Sequence, residues 1–146
     1  MADKVLYTAE AHVDGGRGDG HGTTSNGTLD VQLRLPSEMG GQGDGTNPEQ
    51  LFAVGYAACF EGALGVAARR MKLELGRVAI DSKVSLVTKP GGAYTVAVGL
   101  DVTLPEIQDP EEAVKVVAAA HETCPYSNAT RGNVDVALTA NGRSVS

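Results

Sequence analysis

Residues 47–71 read NPEQLFAVGYAACFEGALGVAARRM, and the architecture turns on this stretch. Asn47 is a good helix N-cap, Pro48 suits the first helical position, and Glu49 favours the positive end of the helix dipole. From Leu51 to Ala68 the residues are apolar almost all round, with Glu61 the one charge. Such a helix is packed on every side rather than laid on a surface. Gly55, Gly62 and Gly65 each cost roughly 1 kcal/mol against alanine inside a helix, so close approach of another backbone is expected to offset them. The spacing predicts a helix from Asn47 to about Met71 that other elements must cover.

The flanking segments supply the cover. Leu29, Val31, Leu33 and Leu35 alternate with Asp30, Gln32 and Arg34 and stop at Pro36, the period of a half-buried strand. The same period runs through Val78, Ile80, Val84 and Leu86, then through Tyr94, Val96, Val98, Leu100, Val102 and Leu104, with Lys89-Pro90-Gly91-Gly92 as the turn. A closing strand is expected over Val134 to Thr139 and a first one over Leu6 to Val13. Asp109-Pro110-Glu111-Glu112 opens a second helix that runs to about Thr123, where Pro125 ends it. The glycine-dense segments Gly15 to Gly22 and Gly40 to Gly45 read as loops. The order β-β-α-β-β-α-β with hairpins predicts an α+β domain of antiparallel sheet. One small sheet cannot cover all sides of the first helix, so a homodimer is expected.

The chain has 146 residues, the size of one domain, and a single domain over 1–146 is expected. A net charge of -6 opposes attraction to phosphate backbones and anionic lipid surfaces, which excludes nucleic acid and membrane as expected partners. The start, Met1-Ala2-Asp3-Lys4, lacks the apolar core of a signal peptide, and no run approaches the ~18 uninterrupted apolar residues of a membrane span. A cytoplasmic location is expected. Two cysteines occur, and in a reducing compartment a purely structural disulfide is rare, so the pair is either inert or reactive.

Cys59 lies mid-helix, where a cysteine commonly serves as a small apolar side chain. Cys124 stands at the end of one helix, just before Pro125, and as N-cap of a short following helix its thiolate would be favoured by exposed amides. His121, three positions earlier, shares its helix face. A zinc site needs three or four protein ligands, and no CxxC or HxxxH spacing supplies them; His12 and His21 stand alone. No metal and no cofactor is expected. The glycine segments lack the Gly-Lys-Ser/Thr ending of a phosphate loop. Arg17 sits in Gly15-Gly16-Arg17-Gly18-Asp19-Gly20, where glycines permit unusual backbone angles, and taken alone is an exposed loop arginine.

Taken together, Asn47-Pro48-Glu49-Gln50-Leu51-Phe52-Ala53 leading to Gly55-Tyr56-Ala57-Ala58-Cys59-Phe60, and Cys124-Pro125-Tyr126-Ser127-Asn128-Ala129-Thr130-Arg131-Gly132-Asn133, resemble the Ohr branch of the OsmC/Ohr family. Leu6-Tyr7-Thr8-Ala9 and Gly15-Gly16-Arg17 match as well, so the resemblance covers essentially the whole chain. It implies an intertwined homodimer whose antiparallel sheets wrap paired central helices. It also implies a peroxidase that reduces organic hydroperoxides, with Cys59 as peroxidatic cysteine, Cys124 as resolving cysteine, and Arg17 with Glu49 as the polar pair that activates the first. A lipoyl-type dithiol is the implied reductant.

For such a peroxidase, lowering the thiol pKa cannot explain the rate. A drop of ~3 units from ~8.5 raises thiolate at neutral pH at most ~30-fold, while a Brønsted coefficient of ~0.4–0.5 removes roughly as much nucleophilicity. Arg17 is therefore expected to act on the transition state, with Glu49 holding its guanidinium by a bidentate contact. Ten helical positions separate Glu49 from Cys59, about 15 Å of rise, so Arg17 and Glu49 are expected to reach Cys59 from the partner subunit. Phe52, Tyr56, Phe60 and Tyr126 are expected to line an apolar substrate pocket. Three other readings remain: an OsmC-like peroxidase of broader specificity, a Cys124/His121 acyl-transfer hydrolase, and a non-enzymatic protein with two inert core cysteines.

Overall fold

The computed structural model describes residues 2–146, which form two compact units, up to Leu51 and from Phe52 onward. In the first, β1 (Ala11–Asp14), β2 (Asp19–Thr24) and β3 (Asp30–Arg34) make an antiparallel sheet in that order. Thr46 bridges β3, its N–H donating to the Gln32 carbonyl at 2.7 Å, and this sets the chain's entry into helix α1 (Pro48–Met71). Asn47 caps that helix as expected, its Oδ1 accepting from the Gln50 N–H at 2.9 Å.

Two expectations for this unit change. The segment from Gly15 to Gly22 is not one loop: residues 15–18 turn, and Asp19–Thr24 is a strand. Its glycines are there for backbone contact, since a Cβ on Gly15 would strike the Asp19 carbonyl oxygen and one on Gly20 that of Gly16. The first strand begins at Ala11, where the register with β2 starts opposite Thr24; beyond it the Ser25 N–H still donates to the Glu10 carbonyl at 2.9 Å.

In the second unit the sheet order is β4 (Ala79–Thr88), β5 (Tyr94–Thr103), β6 (Val136–Ala140), β7 (Arg143–Val145). β4 and β5 pair antiparallel, as their alternation and Gly-rich turn imply. β6 pairs parallel to β5, with Val98 opposite Val136 and Val102 opposite Ala140. The chain between them is thus a crossover, through α2 (Pro110–Thr123) and α3 (Pro125–Thr130), where hairpins were expected. Asp109 caps α2, accepting from the Glu111 N–H. Val98, Leu100, Val102 and Leu138 of the sheet share one core with Phe60, Leu64 and Ala67 of α1 and with Ala113, Val116, Val117 and Ala120 of α2.

Helix α1 has the length and, over an 18-residue window, the mean hydropathy, 1.6, that a membrane-crossing segment also has, although Glu61 interrupts its apolar run. Within this chain its glycines find no other backbone close by. A Cβ on Gly62 would meet nothing within 4 Å in this chain, one on Gly65 would meet only the Arg69 side chain, and Gly55 faces the Tyr126 ring, so none meets another backbone. Val54 is 72% exposed on the same helix.

Candidate active site

Cys59 and Cys124 lie 65 positions apart in sequence, yet their sulfurs stand 3.7 Å apart, with the Cys124 S–H donating to Cys59 Sγ. Both are free thiols, Cys59 half-buried and Cys124 fully buried. The packing of α2 and α1 on one core brings them together: the carboxyl end of α2 delivers Cys124 to the middle of α1. A disulfide needs the sulfurs to close from this distance to about 2 Å.

Cys124 caps α3 by position but not by bond, since its side chain accepts nothing from the helix amides. The amide expected to favour Cys124 acts on the other cysteine. Burial pushes the Cys59 thiol above its usual value of 9.0, the Tyr126 backbone N–H opposes that shift, and the neighbouring Cys124 sulfur adds to it.

Phe52, Tyr56 and Cys59 recur on one face of α1. Phe52 stacks on Tyr126 with ring centres 5.7 Å apart, and the Tyr56 ring meets Tyr126 edge-on at 5.6 Å. Of the four aromatic residues expected to line a pocket, Phe52 and Tyr126 keep surface beside the thiols, while Tyr56 and Phe60 are wholly buried core residues.

Arg17 occupies the β1–β2 turn and donates from Nη2 to Glu49 Oε1 at 2.7 Å, in the first turn of α1. The contact is single, not the expected bidentate one, and Arg17 Nη1 is buried without a partner. His121 does not bond Cys124. Its Nδ1 meets Ser127 Oγ at 2.8 Å, and burial, with Arg131 nearby, holds its pKa below 6.5. Among the described residues no three His, Cys, Asp or Glu side chains are grouped to hold a metal ion.

Sequence reasoning missed Ser127 and Thr130. Both are buried, and both reach the Tyr56 hydroxyl, at 2.8 and 3.2 Å. The signal was the pair of hydroxyls three apart in a six-residue helix, which places them on one face.

An α+β fold that sets two thiols in contact between a long apolar helix and a helix junction is that of an OsmC-like thiol protein, and the OsmC-like protein family model matches residues 41–139. The organic hydroperoxide resistance protein of Xanthomonas axonopodis pv. citri is 52% identical over 94% of this chain and 96% of its own length. The crystal structure of an organic hydroperoxide resistance protein from Legionella pneumophila superposes with a TM-score of 0.87 at 49% identity, covering 92% of this chain and 97% of that one. That of OhrB from Bacillus subtilis gives 0.82 at 46% identity, covering 92% and 98%. The chain belongs to the OsmC/Ohr family, in its Ohr branch.

Proposed function

We propose that this protein is a thiol peroxidase that reduces organic hydroperoxides to alcohols, and the observation that carries the reading is the 3.7 Å contact between Cys59 and Cys124 in a chain of the Ohr branch. The Cys59 thiolate attacks one peroxide oxygen. An S–O bond forms, the O–O bond breaks, and the departing alkoxide takes a proton and leaves as alcohol. Cys59 is now a sulfenic acid, oxidised by two electrons. The Cys124 sulfur attacks it, an S–S bond forms, and the hydroxyl leaves with the Cys124 proton as water. A dithiol, lipoyl-type by family resemblance, then reduces the disulfide by exchange in the cytoplasm.

Because burial raises the Cys59 pKa, the chain's own environment does not supply the thiolate. The Arg17 guanidinium, oriented by Glu49 and partly exposed, supplies both charge and donors for the oxygen that gains charge as the O–O bond breaks. In this reading the pair comes from the second copy of a homodimer, whose helix packs on the α1 face carrying Val54 and Gly62. Phe52 and Tyr126 offer an apolar wall that favours a bulky alkyl peroxide over hydrogen peroxide.

The acyl-transfer alternative is disfavoured, since His121 bonds Ser127 and the Cys124 thiol points at Cys59. The test is intact-mass spectrometry after one equivalent of tert-butyl hydroperoxide. Loss of two hydrogens with an intrachain Cys59–Cys124 bridge is expected. Two unchanged thiols would remove the reading, and faster consumption of hydrogen peroxide than of the alkyl peroxide would favour the broader OsmC-like specificity.

A further inference from the structure

We infer that a buried hydrogen-bonded chain from His121 through Ser127 and Tyr56 to Thr130 is the positioning device for the disulfide-forming step, which rests on the peroxidase reading above. Tyr56 lies three residues before Cys59 on α1, and Ser127 lies three residues after Cys124 on α3. The Tyr56–Ser127 contact of 2.8 Å therefore joins the two cysteine-bearing elements one helical turn from the sulfurs that must meet. Tyr56, Ser127 and Cys124 have no exposed surface, so water cannot replace the bond, and in such surroundings a satisfied network is rigid.

The proton count gives the chain one direction. Thr130 donates to the Ser127 carbonyl, so at the Tyr56–Thr130 contact of 3.2 Å the tyrosine donates. Tyr56 then accepts from the Ser127 hydroxyl, and Ser127 accepts from His121 Nδ1. Each hydroxyl donates once and accepts once. His121 accordingly carries a hydrogen on Nδ1 and titrates at Nε2, leaving the chain intact in either charge state.

Arg131 closes the arrangement at the helix ends. Its Nη2 donates to the His121 carbonyl at 2.5 Å and its Nη1 to Asn128 Oδ1 at 2.7 Å, tying the last turn of α2 to α3 across Cys124. None of these groups touches the peroxide. They act through Cys124, holding it where it meets a Cys59 sulfenic acid before a second peroxide does.

The readout is the fate of Cys59 under excess tert-butyl hydroperoxide without reductant, scored by mass spectrometry as disulfide against sulfinic and sulfonic acid. In Ser127→Ala the first oxidation should proceed at the parent rate while the overoxidised share rises about fivefold, the effect of losing one hydrogen bond of ordinary net strength. Tyr56→Phe, which keeps the ring, should shift the partition the same way. His121→Asn, with an amide donor in the Nδ1 position, should keep the parent partition, whereas His121→Leu should not. Val102→Ala, a core deletion on β5, controls for lost stability. An unchanged partition in both Ser127→Ala and Tyr56→Phe, or an equal shift in Val102→Ala, overturns the proposal. A parent protein that forms no disulfide fails the peroxidase reading instead, so the two failures are distinguishable.

Discussion

Arg17 meets Glu49 through one hydrogen bond, Nη2 to Oε1 at 2.7 Å, and keeps Nη1 buried with no partner. The rest of the guanidinium is partly exposed, and Glu49 fixes its orientation. Arg17→Lys retains the charge but not the planar fork that can hold Glu49 with one N–H and aim another, so kcat/KM for an alkyl hydroperoxide should fall about 10²-fold or more, the usual cost of losing one aimed donor to a developing oxyanion. Stopped-flow peroxide consumption measures it; a loss of a few-fold or less would show that charge alone suffices.

The pH dependence of Cys59 separates what its own chain supplies from what Arg17 supplies. Burial pushes the thiol above 9.0, and a guanidinium beside it acts in the opposite sense. The midpoint of the rate of alkylation by iodoacetamide should therefore lie above 9.0 in Arg17→Ala and lower in the parent. Identical midpoints would mean that Arg17 does not approach Cys59.

His121 predicts the acid limb of stability. Its folded pKa is held below 6.5 by burial, then by Arg131, so the unfolded chain takes up the proton first. Its contribution is present above 6.5 and is lost as pH falls through the lowered folded value. Tm should fall as pH is lowered from neutral to well below 6.5, and His121→Asn should fall less steeply, as scanning calorimetry at the two pH values would reveal.

Gly62 distinguishes a free helix face from a covered one. Its Cβ position is open in this chain, so in a monomer Gly62→Ala should stabilise the helix by about 1 kcal/mol. If a second α1 packs there, Gly62→Leu should instead convert a dimer to monomers in sedimentation velocity and abolish turnover. A Gly62→Leu variant that stays dimeric and active would exclude that face as the interface.

Much of this fold was legible because its signals are short-range. Asn47 and Pro48 mark the start of α1, Asp109 and Pro110 that of α2, and the alternation from Tyr94 to Leu104 with the turn at Lys89 to Gly92 gives the β4–β5 ladder. Caps, periods and turns depend on neighbours within a few residues, and so they survive in the bare sequence.

What lay beyond it depends on partners distant in the chain. Whether β6 runs parallel or antiparallel to β5 depends on where the helical crossover returns, and Asp19 to Thr24 becomes a strand only because β1 and β3 flank it. Tyr56 was expected in a pocket and Ser127 was passed over, whereas Cys59 and Cys124 stood out in the sequence and family resemblance paired their sulfurs. Their 3.7 Å separation and the 2.8 Å hydroxyl bond a turn away exist only after α1 and α2 pack against the same sheet, because burying those apolar faces brings residues about 70 positions apart into contact.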